Sequence, residues 1–129
     1  MKKLKLIGLL GIILLSAFSI AVETESIQGR WELNSVFKGE PFSFLIIFRN
    51  NGKYDGFLNK KTFVSGTYRM KHDTLYISDP ICNSAYEGTY KVEFYKQDSI
   101  KFHVIQDTCI GRRDGANGLV YKKVKVASK

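Results

Sequence analysis

From Gln28 onward, apolar and polar residues alternate with a period of two, and turn-forming residues interrupt the alternation about every ten positions. That is the pattern of short β-strands buried on one face. It predicts strands over 28–36, 42–49, 53–58, 62–70, 74–78, 86–95, 99–105 and 119–126. The alternation is cleanest in 86–95, where Tyr86, Gly88, Tyr90, Val92 and Phe94 share one face and Glu87, Thr89, Lys91 and Glu93 the other. Trp31, Leu33 and Ser35 share a face of the first strand, and Ile100, Phe102 and Val104 point inward from the seventh. Asn50-Asn51-Gly52 marks a hairpin, since Asn-Gly accepts positive φ at little cost. Segments 37–41, 59–61, 79–85 and 106–118 are expected to be loops. Helical periodicity is not evident in any segment.

Short connections between sequential strands imply an up-and-down antiparallel order. Closing such a sheet removes its exposed edges and turns every apolar face inward. The expected fold is therefore all-β, a single eight-stranded up-and-down antiparallel barrel. A Greek-key sandwich would need longer crossing loops than most of those present.

The first 21 residues read differently. Lys2, Lys3 and Lys5 precede an apolar run from Leu6 to Leu15, and Ser19-Ile20-Ala21 puts small residues where a signal peptidase reads. Domain organisation is thus read as a signal peptide over 1–21, a flexible arm over 22–27 and a barrel domain over 28–129. The apolar run is shorter than the roughly 20 residues of a membrane span, so no stable membrane insertion is expected after cleavage. Cleavage also takes three charges from the formal +8. The remaining basic excess is spread out and reads as solubility, with nucleic acid not expected as a partner. Export favours pairing the only two cysteines, Cys82 and Cys109, in a disulfide rather than leaving free thiols. In the barrel order both lie just past the ends of adjacent paired strands, on the same rim as 37–41 and 59–61.

Gly29-Arg30-Trp31 resembles the Gly-x-Trp signature of lipocalins and their calycin relatives. It is followed in order by Phe48-Arg49-Asn50-Asn51-Gly52-Lys53-Tyr54, Gly66-Thr67-Tyr68, Asp73-Thr74-Leu75-Tyr76-Ile77 and Leu119-Val120-Tyr121-Lys122-Lys123. The series resembles the small exported bacterial lipocalin-like domains and covers nearly all of 28–126. The resemblance implies a periplasmic or secreted barrel in which Trp31 plugs the narrow end and Gly29 lets the chain bend in close. Lipocalins place an arginine of the last strand over that tryptophan. Here the matching stretch offers Lys122, Lys123 and Lys125 instead, a departure that points to a divergent calycin.

Candidate chemistry is sparse. His72 falls in a predicted tight turn and His103 points outward on its strand, neither at metal-ligand spacing from a partner. No nucleophile elbow, phosphate loop or dinucleotide fingerprint is present, so neither an enzyme nor a cofactor or metal is expected. Asp73, Asp79, Asp98, Asp107 and Asp114 occupy turns, where aspartate caps backbone amides. Asp73-Thr74 and Asp98-Ser99 also resemble a bacterial O-glycosylation acceptor, but read more simply as turns entering strands. Tyr54, Tyr68, Tyr86 and Tyr90 are assigned inward and are the candidate ligand-binding residues, because buried hydroxyls need partners. The bulk of Phe44, Ile46, Phe48, Phe94 and Phe102 argues for a filled or shallow interior. The expected activity is noncatalytic binding of a small hydrophobic or amphipathic ligand at the open rim, its mouth among 37–42, 58–62, 79–85 and 106–118. The competing class is a protein-binding module, such as an exported inhibitor or envelope-associated factor, with a filled barrel.

Overall fold

Period-two alternation produces β1 (Gly29–Phe37), β2 (Glu40–Phe48), β3 (Lys53–Leu58), β4 (Lys61–Lys71), β5 (Thr74–Ser78), β6 (Gly88–Tyr95), β7 (Ser99–Gln106) and β8 (Val120–Lys123), with one helix, α1 (Ile110–Ala116). These elements come from a computed structural model that describes residues 26–96 and 98–125. The signal peptide expected over 1–21, and residues 22–25 of the expected arm, lie outside the described residues.

Each strand pairs antiparallel with its sequence neighbour, and β8 returns to β1, closing an eight-stranded lipocalin-like barrel. Two connections are tighter than the sequence suggests. Lys38 and Gly39 both have positive φ (50° and 79°), as do Asn59 and Lys60 (49° and 69°). Two such residues form the kind of turn whose twist matches its strands. Phe37, Glu40 and Pro41 therefore belong to strands rather than to a loop, with Phe37 paired to Glu40.

The turns at 49–52 and 72–73 and the connection from β6 to β7 lie at one end, beside the start of β1. That end is closed. Trp31 is 2 % exposed, packed with Ile100, Phe102 and Tyr121 in one buried cluster. Its indole Nε1–H donates to the Ile27 carbonyl at 2.7 Å. Ile27 is itself 3 % exposed. Ile27, the last residue of the segment 22–27 read as an arm, thus lies in the core with its carbonyl bonded to the tryptophan. Gly29 has φ +126°, open to glycine and rarely to other residues. Lys123 pairs with Trp31 in the register and sets its Nζ 5.8 Å from the indole centroid. A lysine thus stands over the tryptophan, where cation–π attraction is available to it.

The opposite end, the mouth, carries the turns at 38–39 and 59–60, segment 79–87, and segment 107–119 with α1. Cys82 and Cys109 join these two long segments by a disulfide, Cα to Cα 5.8 Å. Closing a loop of 27 residues stabilises a fold by roughly 3–4 kcal/mol on the chain-entropy account. Reduction with dithiothreitol is expected to lower the melting temperature by roughly 10 °C or more while the β-type circular dichroism persists. An unchanged melt would show that the cross-link carries no stability.

Candidate functional site

The inward faces of the strands do not fill the barrel. A cavity of about 410 Å³ opens at the mouth and runs down between the sheet walls. This overturns the filled or shallow interior expected from the bulk of the phenylalanines. Phe44, Phe48 and Phe63 line the cavity, with Phe44 edge-to-face against Phe63 at 6.0 Å and Phe48 edge-to-face against Tyr68 at 4.9 Å.

Polar side chains in the wall are consumed by one another. Arg112 of α1 donates through Nε and Nη2 to both oxygens of Asp107 (2.7 and 2.8 Å), and through Nη1 to Asp79 (2.8 Å). The Tyr54 hydroxyl donates to Asp79 at 2.7 Å, and the Tyr90 hydroxyl donates to Asp107. The remaining oxygen of Asp79 accepts the backbone N–H of Ile81, and the Asp107 Oδ1 that Arg112 Nη2 reaches also accepts the Cys109 N–H. Side-chain exposure is 10 % for Arg112, 4 % for Asp79 and 0 % for Asp107. A buried ion pair survives only when its lone pairs and protons are satisfied, and here every carboxylate oxygen has a donor. Burial pushes the Asp107 carboxyl up, but the hydrogen bonds from Arg112, Tyr90 and the Cys109 amide outweigh it and hold the group below its ordinary 3.8. Burial, then the neighbouring carboxylates, push the Tyr54 and Tyr90 phenols far above their ordinary range, so both remain protonated donors.

Small residues in the wall make room for this cluster. A Cβ on Gly88 would stand 2.5 Å from an Asp107 oxygen, and one on Gly66 would stand 2.1 Å from the Ser78 carbonyl oxygen as well as 2.8 Å from the Asp79 Cβ and the Tyr54 ring. Either strand would otherwise be pushed off the network.

The four candidate tyrosines divide. Tyr54 and Tyr90 line the cavity, but their hydroxyls are committed to the carboxylates. Tyr68 and Tyr86 do not line it. The Tyr68 hydroxyl donates to the Arg49 carbonyl, and the Tyr86 hydroxyl accepts the Thr108 amide at 3.1 Å. The tyrosines therefore offer wall area rather than free hydroxyls. No family model matches this chain, and neither does any curated protein.

α1 covers part of the mouth, although segment 106–118 was expected to be loop. It is short, interrupted by Gly111 and Gly115, and has no buried residue of its own, so it has no apolar stripe for periodicity to register. External ties hold it: the disulfide at Cys109, the Arg112 network, the Tyr121 hydroxyl on the Gly115 carbonyl (2.6 Å), and Asn117 accepting the Val104 amide (2.9 Å). Asp79, Asp107 and Arg112 were not among the sequence candidates for the site. Each aspartate does cap its turn, as turn aspartates do, but with one oxygen only. The available signal was their placement: each precedes a disulfide cysteine by two or three residues, with Arg112 three residues beyond the second.

His103 points outward on β7, where Glu93 on β6 partners it at 2.6 Å, and His72 is exposed in its turn. Thr74 and Ser99 each hydrogen-bond the preceding aspartate, as expected of turns entering strands.

Proposed function

We propose that this chain is an exported bacterial lipocalin-like protein that takes up one small, largely apolar and uncharged molecule through the mouth of the barrel, without catalysis. The cavity carries the reading. Its volume falls within the range of small-molecule sites, and its lining is nearly all carbon apart from a polar cluster already satisfied within itself. A ligand carboxylate would have to compete with two aspartates for the one guanidinium of Arg112, and would bring a third negative charge into the wall. An aliphatic or aromatic body matches the site, with any polar end left at the rim near Asp114. The disulfide is in keeping with export, since such bonds persist in oxidising compartments. Among the described residues, no helix is long and apolar enough to cross a membrane.

Native mass spectrometry of the protein taken from its own compartment, followed by solvent extraction, tests the reading. A stoichiometric small molecule released on denaturation is expected. In vitro, the neutral dye N-phenyl-1-naphthylamine should bind with enhanced fluorescence, and the anionic dye anilinonaphthalene sulfonate should bind more weakly. Ala116→Trp places a large ring in the cavity from α1 and is expected to weaken the neutral dye by about tenfold, roughly 1.4 kcal/mol, with little change in the melt. Equal binding of both dyes, unaffected by Ala116→Trp, would rule the cavity out as the site.

A further inference from the structure

Among the described residues, the large apolar side chains left exposed are Val36, Phe37, Leu58, Phe63, Ile81, Ile105, Ile110 and Val120. Seven of them lie at the mouth, on strand ends, turns and α1; the eighth, Val120, is on β8 beside Lys101 of β7. Phe37 is 64 % exposed and Ile110 72 %, so they are solvent-facing and not merely part of the cavity wall. Scattered apolar residues on a surface need no explanation, whereas a one-sided cluster around an opening marks an interaction surface.

The charges among these residues indicate what covers them. Lys38, Lys60 and Lys61 sit at the tips of the two hairpins, and Arg113 lies on the outer side of α1, all exposed. Exposed acids on the same rim are Glu40, Asp114 and Glu87, and Glu87 is already paired with Arg69 at 3.0 Å. Apolar side chains with lysines beside them fit the boundary of an anionic bilayer, where carbon enters the acyl region and ammonium groups stay among the phosphates. A ring of separate tips around an open cavity also suits a deformable lipid surface better than a rigid protein face.

We infer that the mouth of this barrel docks peripherally onto an anionic lipid surface, with Phe37, Phe63, Ile81 and Ile110 inserted and Lys38, Lys60 and Lys61 at headgroup level. The chain lies on the surface without spanning it. In that pose the apolar rim joins the acyl region to the cavity, so an apolar ligand passes between them without crossing water. Docking itself does not depend on the cavity being occupied.

The test places a fluorescent reporter at each end of the full chain. Phe37→Trp, with Phe63→Trp as a second mouth position, is compared with Tyr95→Trp at the closed end; Trp31 is common to all three. Vesicles are phosphatidylcholine with brominated acyl chains, with or without phosphatidylglycerol. Emission of Phe37→Trp and Phe63→Trp is expected to shift to the blue and be quenched on the anionic vesicles, with Tyr95→Trp unchanged. Neutralising Lys38, Lys60 and Lys61 to glutamine should weaken partitioning by about fivefold for each lysine removed, and added salt should weaken it similarly. Quenching at Tyr95→Trp equal to that at the mouth, or independent of the lysines, would overturn the proposal. So would folded protein whose mouth reporters ignore both vesicle types, which would assign the apolar ring to a protein partner. A carrier that fails this test while still binding the neutral dye loses only the docking surface.

Discussion

Replacing Arg112 with leucine is expected to destabilise the folded chain by about 3–5 kcal/mol at neutral pH, since breaking a buried pair strands its partners. The guanidinium makes three hydrogen bonds to Asp79 and Asp107, whose side chains are almost entirely buried. Without it two carboxylates share a low-dielectric pocket with two tyrosine donors and no cation. The pH dependence separates this cause from simple loss of packing. In the parent, Asp107 lies below its ordinary 3.8. The unfolded state then binds more protons as the pH falls, and stability contributed by Asp107 at neutral pH is lost through the acid range. In Arg112→Leu the burial that pushes the Asp107 carboxyl up is no longer outweighed by the guanidinium, so the folded state is expected to bind the extra proton and acidification to relieve the strain. The gap between the two proteins should be widest near pH 7 and narrow toward pH 4 in urea unfolding. Adding Asp79→Asn and Asp107→Asn to Arg112→Leu should recover part of the loss by removing the stranded charges. A gap independent of pH would show that Arg112 acts through its carbon stem alone.

The parts of this molecule legible in its sequence are those governed by repetition. Alternation along Tyr86 to Phe94 assigned the inward face of β6 because every second residue is apolar, and burial of Gly88, Tyr90 and Val92 follows that rule. The short turns fixed the neighbour order, and the neighbour order placed Cys82 and Cys109 on one rim. Three things were not legible, each for a physical reason. α1 has no fully buried apolar residue, so its seven residues leave no periodic trace. The ion cluster joins Tyr54, Asp79, Tyr90, Asp107 and Arg112 across separate elements, and Asp79 looks in sequence like any turn aspartate because it also caps a turn. The cavity depends on how side chains are arranged in space: Phe44 and Phe48 read as core volume in a sequence, whereas in the fold both line the cavity wall, edge-to-face on Phe63 and Tyr68.

At the closed end, Trp31→Ala is expected to cost about 3–5 kcal/mol, the range for deleting a large buried aromatic. The location makes the upper part of that range the expected one. Trp31 sits on the seam where β1 meets β8, and that seam consists of two register pairs, Trp31 with Lys123 and Glu32 with Lys122. Removing the indole opens a hole beside the shortest strand of the barrel and frees Lys123 from the ring. Trp31→Phe separates volume from hydrogen bonding. Phenylalanine keeps most of the apolar contact but cannot donate to the Ile27 carbonyl, which then lies buried without its indole donor. Such an orphaned group costs about 1–3 kcal/mol, so Trp31→Phe should fall between the parent and Trp31→Ala when unfolding is followed by far-ultraviolet circular dichroism. Because the plug lies at the opposite end from the mouth, Trp31→Phe should leave binding of the neutral dye unchanged. A loss within error for Trp31→Ala would remove the indole from the core and leave closure to the β1–β8 hydrogen bonds alone. If Trp31→Phe instead weakened dye binding, the plug and the cavity would have to be one packing unit, with the closed end setting how wide the mouth stands.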